Sequence, residues 1–313
     1  MYILSNVRER RLAMKTKILI LLFSVLFSSA AAAQQKNSYS IGFLMTAGYS
    51  DPNFKKIITD ALNSVSKEGN VKIDLRWFTE ENEFMAAVKN GELDIVYPFK
   101  NDVLPSLIGD LGYNAFMALT IFAKKGDPQN PLCLFAARDL KVTKTDDLRG
   151  RRLASYYTAE GYVFMRKMLG SKPEAFFSEI IPNKKGQEAL DQVLAGRADA
   201  AFVLRSNILA LQKIKTTEAK KIDTIACAKD FYDLPFLYRK DVPVDLVKRI
   251  SDLLENADRN EIFKPFWPMM KNFGLRFLPI STDKYKPMLA VYAEAKEKGW
   301  LDDYRKWLAS VEK

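Results

Sequence analysis

Two stretches of the chain share one order of apolar and polar positions. FMAAVKNGELDIVYPF, from Phe84, and ALDQVLAGRADAAFVL, from Ala189, each run from an apolar helix end through Gly, two further residues and Asp into an apolar run. Gly91 and Asp94 recur 105 residues later as Gly196 and Asp199. Glycine enters the left-handed region without a side-chain clash and so ends a helix, and a short apolar run suits a strand covered on both faces. The repeat predicts two α/β lobes facing each other across a cleft. The aspartates are expected to be structural, since an Asp ahead of a buried strand can bind nearby backbone amides.

The rest of the pattern fills in those lobes. IGFLMT near Ile41 predicts a first strand, Asn53 to Lys67 carries helical periodicity closed by Gly69, and VKIDLRWF alternates into a second strand. Glu80 to Asn90 predicts a helix closed by Gly91, and DIVYPF a third strand. Strands alternating with helices in this way indicate βαβ units with mostly parallel sheets. The punctuation KKGDPQNP, from Lys124 to Pro131, marks a crossing to the second lobe, where strands are expected at LCLFAA, SEIIPN, AAFVL and DTIACA. LPFLYRKDVP carries the chain back, and helices at Val244 to Asn256 and Lys284 to Lys313 finish the first lobe. The expected division is therefore lobe 1 over residues 34–130 and 238–313 and lobe 2 over residues 131–237. Two crossings make a hinge, and ligands of open parallel sheets sit beyond the carboxyl ends of the strands.

The first 33 residues do not belong to that pattern. Lys15 and Lys17 precede the apolar run Ile18 to Phe27 and then SSAAAA, the order of a secretory signal with cleavage expected after Ala33. The apolar run is about half the ~20 residues that span a bilayer. The mature chain is thus expected in the periplasm, starting at Gln34. Five basic residues against Glu9 in the leader leave the mature chain about +6 of the formal +10. That charge is diffuse, with no basic block interleaved with aromatics as a nucleic-acid surface needs. The chain has no histidine and two cysteines. The absence of histidine removes the usual general base and the commonest metal ligand. In an oxidising compartment Cys133 and Cys227 can form a disulfide, stay as two buried thiols, or build a thiol-based ligand site.

DLRGRRLASY from Asp147, Gly161 and its helix, ALDQVLAGRADAAF, and the ending GLRFLPISTDKYKPML together resemble the phosphate, phosphite and phosphonate substrate-binding proteins of ABC transporters. The resemblance covers essentially the mature chain and implies the type II periplasmic binding protein fold, two α/β lobes that close over a small ligand. It implies no catalysis and no cofactor. In that family the helix start reads Ser-Thr-Ser-Gly, whose hydroxyls and amides cradle an oxyanion; the matching residues here are Thr158, Ala159, Glu160 and Gly161. A family histidine matches Gly186, beside Lys184 and Lys185.

Candidate ligand contacts follow from strand ends: Tyr49 and Ser50 after the first strand, Tyr97 and Lys100 around the third, Tyr157, Thr158, Ala159, Glu160 and Gly161 at the helix start, and Arg205 after the strand of the second repeat. Arg205 suits bidentate binding of an anion. The expected function is capture of a small anionic solute for an ABC permease by a monomeric chain. The alternatives are a binder that reports an oxyanion such as arsenite to a membrane histidine kinase, one version of which holds it by thiols, and a binder of a cationic or zwitterionic solute between aromatic faces and Glu160.

Overall fold

The computed structural model describes residues 36–45, 52–122, 128–156, 158–229 and 231–311; the leader, Tyr49, Ser50 and Tyr157 lie outside them. From Tyr39 to Lys313 the chain is one compact unit. The first half gives β1 (Ser38–Leu44), α1 (Pro52–Gly69), β2 (Lys72–Phe78), α2 (Glu81–Lys89), β3 (Ile95–Pro98) and β4 (Asn114–Thr120). On α1 the buried residues Ile57, Ile58, Ala61, Leu62 and Val65 follow helical spacing, so one stripe faces the sheet. The middle of the chain gives β5 (Leu132–Ala137), β6 (Arg152–Tyr156), α3 (Ala159–Leu169), β7 (Glu179–Asn183), α4 (Gly186–Leu194), β8 (Ala200–Leu204), α5 (Arg205–Ile214) and β9 (Ile222–Cys227). β10 (Pro235–Tyr238), α6 (Val244–Glu255), α7 (Trp267–Phe273), β11 (Arg276–Pro279), α8 (Lys286–Glu297) and α9 (Trp300–Val311) follow.

Two mixed sheets organise these elements. The first has the order β11-β4-β10-β3-β1-β2 and the second β7-β6-β8-β5-β9. β1 and β3 run parallel, as do β7, β6 and β8, whereas β4, β10 and β11, and β5 and β9, pair antiparallel. The parallel parts are the βαβ units of the repeated phrase; the antiparallel strands lie next to the crossings. Gly91 and Gly196 take φ of 73° and 70°, which ends the helix in each copy. Beyond each, the aspartate ties neighbouring strands. Asp94 accepts from the Ser40 amide at 2.8 Å and Asp199 from the Arg152 amide at 2.9 Å.

The chain passes from the first sheet to the second after β4 and returns after β9. The two crossing segments pair with each other through a bridge between Gln129 and Tyr232 and through Asn130 Nδ2, which donates to Asp233 Oδ1 at 2.9 Å. Cys133 on β5 and Cys227 on β9 stand directly opposite and form a disulfide. One buried apolar cluster is shared by both sheets, running from Val96 and Ala118 through Tyr285, Met288 and Tyr292 to Phe164 and Phe202.

Four details depart from the sequence reading. Gly69 stays inside α1, and Asn70 makes the left-handed turn with φ of 48°. The return begins by Pro235, because β10 already pairs with β3 and β4, so residue 238 is too late a boundary. The helix expected over Lys284 to Lys313 is two helices, since Gly299 takes φ of 67° between α8 and α9. Those two helices do not stay with the first sheet: Asp303 on α9 binds Arg166 on α3 at 2.5 Å and Lys172 at 2.8 Å, and Glu294 on α8 binds Lys167 at 2.5 Å. Acidic residues on α8 and α9 meet the basic last turn of α3, an arrangement a helix C-terminus favours.

Candidate functional site

The segment after β3 and the helix that follows β6 meet through Asn101 and Glu160. Thr158 is the N-cap of α3, with its hydroxyl accepting from the Gly161 amide at 3.0 Å. Glu160 follows in the first helical turn, where the helix dipole alone would favour the charged carboxylate. Burial outweighs the dipole. Although the residue keeps partial exposure, its carboxyl is withdrawn from water and its pKa is pushed up to about 8; Asp102 and Asp233 add to the rise, and a hydrogen bond from Asn101 opposes it. Asn101, two residues beyond Phe99, is 7% exposed, and its Nδ2 donates to Glu160 Oε1 at 2.5 Å.

The groups around that bond retain hydrogen-bonding capacity. Asn101 Oδ1, Asp102 Oδ1 and the Tyr292 hydroxyl are buried without a hydrogen-bond partner. Burial raises the Asp102 carboxyl, with Lys100, 3.9 Å away, pulling the other way. Tyr292, on α8, is raised well above the usual phenol range by burial and then by Glu160 and Asp102. Tyr292 belongs to the apolar cluster shared by the two sheets and feels both carboxyls.

A second polar group lies on the crossing segments. Arg205, at the start of α5, donates from Nη2 to the Gln129 carbonyl at 2.8 Å, while its Nε is buried with no acceptor. Ser206 accepts from Asn130 Nδ2 at 3.1 Å, and its amide donates to Asn130 Oδ1 at 3.0 Å. Asp233 shares Asn130, and burial pushes its carboxyl up to about 6 against the pull of Thr120, Asn130, the Ile121 amide and Arg205. An unsatisfied guanidinium donor at the start of α5 and the buried Asp233 carboxyl thus meet beside the paired crossings.

The sequence candidates divide among these surroundings. Thr158, Ala159, Glu160 and Gly161 form the first turn of α3, and Arg205 belongs to the crossing group. Lys100 pairs with Glu81 at 2.5 Å. Tyr97 is 3% exposed in an aromatic cluster, its ring 4.4 Å from Phe236 and 4.6 Å from Phe99. Gly186 is covered by Asn207: a Cβ there would stand 2.5 Å from its Oδ1. Asn101, Asp102, Asn130, Asp233 and Tyr292 are additions that the pattern did not single out. Asn101 and Asp102 directly follow Lys100 and were within reach of the strand-end argument. Open grooves beside α7 and β11, lined by Trp267, Met270 and Arg276, include none of these residues.

Residues 43–283 match the family model of the phosphonate periplasmic substrate-binding proteins of ABC transporters. The chain belongs to that family. This binding protein is a substrate-binding component of a transporter and not an enzyme. It shares its fold with the binding component of a phosphonate ABC transporter from Pseudomonas aeruginosa, at 15% identity, a TM-score of 0.52, and coverage of 89% of this chain and 100% of the other. A methylphosphonate complex from Prochlorococcus marinus is similar at 12% identity and a TM-score of 0.54, covering 83% and 99%. The aliphatic sulphonate binding protein of Escherichia coli is similar at 11% identity and a TM-score of 0.52, covering 84% and 87%. No curated protein matches the binding protein in sequence. Among its described residues no helix is long and apolar enough to cross a membrane.

Proposed function

We propose that this binding protein captures a small solute with a phosphonate- or sulfonate-like head group between its two sheets and delivers it to an ABC permease. The observation that supports this most is Arg205. A guanidinium N–H buried without an acceptor costs free energy, and an oxyanion oxygen on Arg205 Nε would remove that cost. Ser206 and Asn130 supply further polar contacts beside it. Arg205 and Ser206 bind the crossing at Gln129 and Asn130, where the lobes would hinge, so a ligand there would favour the closed form. The chain acts as an exported monomer with its leader removed near Ala33.

Thiol ligation, one version of the kinase-linked alternative, loses its chemistry because both cysteines are in the disulfide. Thermal unfolding of the chain from Gln34, with and without methylphosphonate and ethanesulfonate, tests the reading. At a hundred times the dissociation constant a ligand specific for the folded state adds about 2.7 kcal/mol of stability. An upward shift with either compound, lost in Arg205→Ala, is expected; no shift with both contradicts the function.

A further inference from the structure

The positive charge that is spread along the sequence is gathered by the fold. Residues 131–234, which carry the second sheet, hold 18 basic against 13 acidic residues, a surplus of +5 out of the +6 beyond the leader. The remainder beyond the leader is close to neutral, with 25 basic against 24 acidic residues. The register of the second sheet fixes where this surplus reaches the surface. β5 leaves the crossing at Leu132, beside Leu204 of β8, and ends at Ala137, beside Ile222 of β9. The sheet therefore has one end at the crossings, next to Arg205, and one end away from them.

α5 starts at the crossing end and has to deliver the chain to β9 at the far end. Its ten residues span about 15 Å, close to the ~17 Å of the six residues of β5, so the helix runs the length of the sheet. Ile208 and Leu211 bury its inner face. Ile214, its last residue, is 67% exposed, and of the bulky apolar side chains exposed among the described residues it alone belongs to residues 131–234. Lys213 and Lys215 flank it, and Lys220 and Lys221 follow on the approach to β9, with Glu218 the one carboxylate in that segment. All four lysines are exposed, and none forms an ion pair among the described residues. On the neighbouring strands Arg138 and Arg152 are neutralised by Asp223 and Asp199, while the exposed Arg151 and Arg197 add two charges and Glu179 removes one.

An exposed apolar side chain set among solvated cations fits a layer that is anionic outside and apolar beneath. Lysine carries a compact, strongly hydrated charge on a flexible apolar stem, which suits mobile phosphates. Buried centres of protein interfaces favour arginine and are depleted of lysine, so this set does not fit a protein partner as well. We infer that the end of the second sheet away from the crossings is a surface for anionic phospholipid, with Ile214 entering the headgroup layer and Lys213, Lys215, Lys220 and Lys221 drawn to lipid phosphates. Arg205 lies at the opposite end of the sheet, so the attached protein keeps its crossings clear of the lipid. The inference stands independently of the reading of Arg205.

Co-sedimentation of the chain from Gln34 with vesicles of phosphatidylglycerol and phosphatidylethanolamine, and with vesicles of phosphatidylcholine alone, tests it. Binding to the anionic vesicles at low salt is expected, weakening as salt rises, with none on phosphatidylcholine. The joint replacement Lys213→Gln, Lys215→Gln, Lys220→Gln and Lys221→Gln should weaken binding at least about tenfold, since one lysine near an anionic surface contributes about fivefold. Ile214→Ser should weaken it at least about threefold at unchanged net charge. The same charge change on the first sheet and its helices, Lys248→Gln, Lys264→Gln, Lys271→Gln and Lys286→Gln, should leave affinity within about threefold. Thermal unfolding checks that each variant is folded. No binding to anionic vesicles at low salt, or an equal loss in both lysine variants, overturns the surface. Binding to poly-glutamate without binding to the vesicles also overturns it and makes the partner an acidic protein.

Discussion

Asp94 and Asp199, 105 residues apart, hold matching partners in the two sheets. Each accepts a backbone amide from a neighbouring strand and each takes an arginine, Arg239 at 2.8 Å for Asp94 and Arg152 at 3.0 Å for Asp199. Asp94 is 1% exposed, so Asp94→Ala leaves buried donors without an acceptor and should cost about 3–5 kcal/mol. Asp199 is more accessible, and Asp199→Ala should cost about 1–2 kcal/mol. Urea unfolding measures both, and a larger loss at Asp199 would contradict this ranking. The Asp199 carboxyl is held below its usual range, first by its hydrogen bond from Arg152. Its contribution is therefore present above the unfolded carboxylate pKa and lost as pH falls through the folded value.

The disulfide closes a long segment. Cys133 and Cys227 are 94 residues apart in sequence, and cross-linking them restricts the unfolded chain far more than the folded one. Replacement of both by Ser should lower stability by about 2–5 kcal/mol, as read by urea unfolding. Affinity for a phosphonate should change less than about threefold, since neither cysteine is among the polar groups around Arg205. A large loss of affinity in a folded variant would place the disulfide in the site.

Glu160 and Asp233 give the unliganded protein an unusual pH response. Both carboxyls have raised pKa values in the folded state, about 8 and about 6, chiefly through burial. The folded protein thus holds more protons than the unfolded chain above pH ~4, and stability falls as pH rises through those values. The melting temperature should drop between pH 5 and pH 8.5, and Glu160→Gln should remove most of the drop above pH 6. A flat profile in the unaltered protein would show that Glu160 is solvated.

The frame of the molecule was legible because it rests on local rules. The Gly–x–x–Asp spacing located both βαβ units, and the strand runs located nearly every strand. Where the reading failed locally, a neighbour took over: Asn70 turns in place of Gly69, and Gly299 breaks a segment whose periodicity reads as one helix. The site was less legible because its chemistry depends on contacts distant in sequence. Glu160 is hydrogen-bonded by Asn101, 59 positions earlier, and Asp233 shares Asn130 across 103 positions. Nothing in the immediate neighbourhood of either residue announces those partners.

A crystal structure of the chain from Gln34 with methylphosphonate decides whether the ligand lies between the sheets with its oxyanion on Arg205. A phosphonate oxygen within hydrogen-bond distance of Arg205 Nε is expected. A phosphonate seated at the Gly161 end of α3, or in the groove beside α7 and β11, would contradict it.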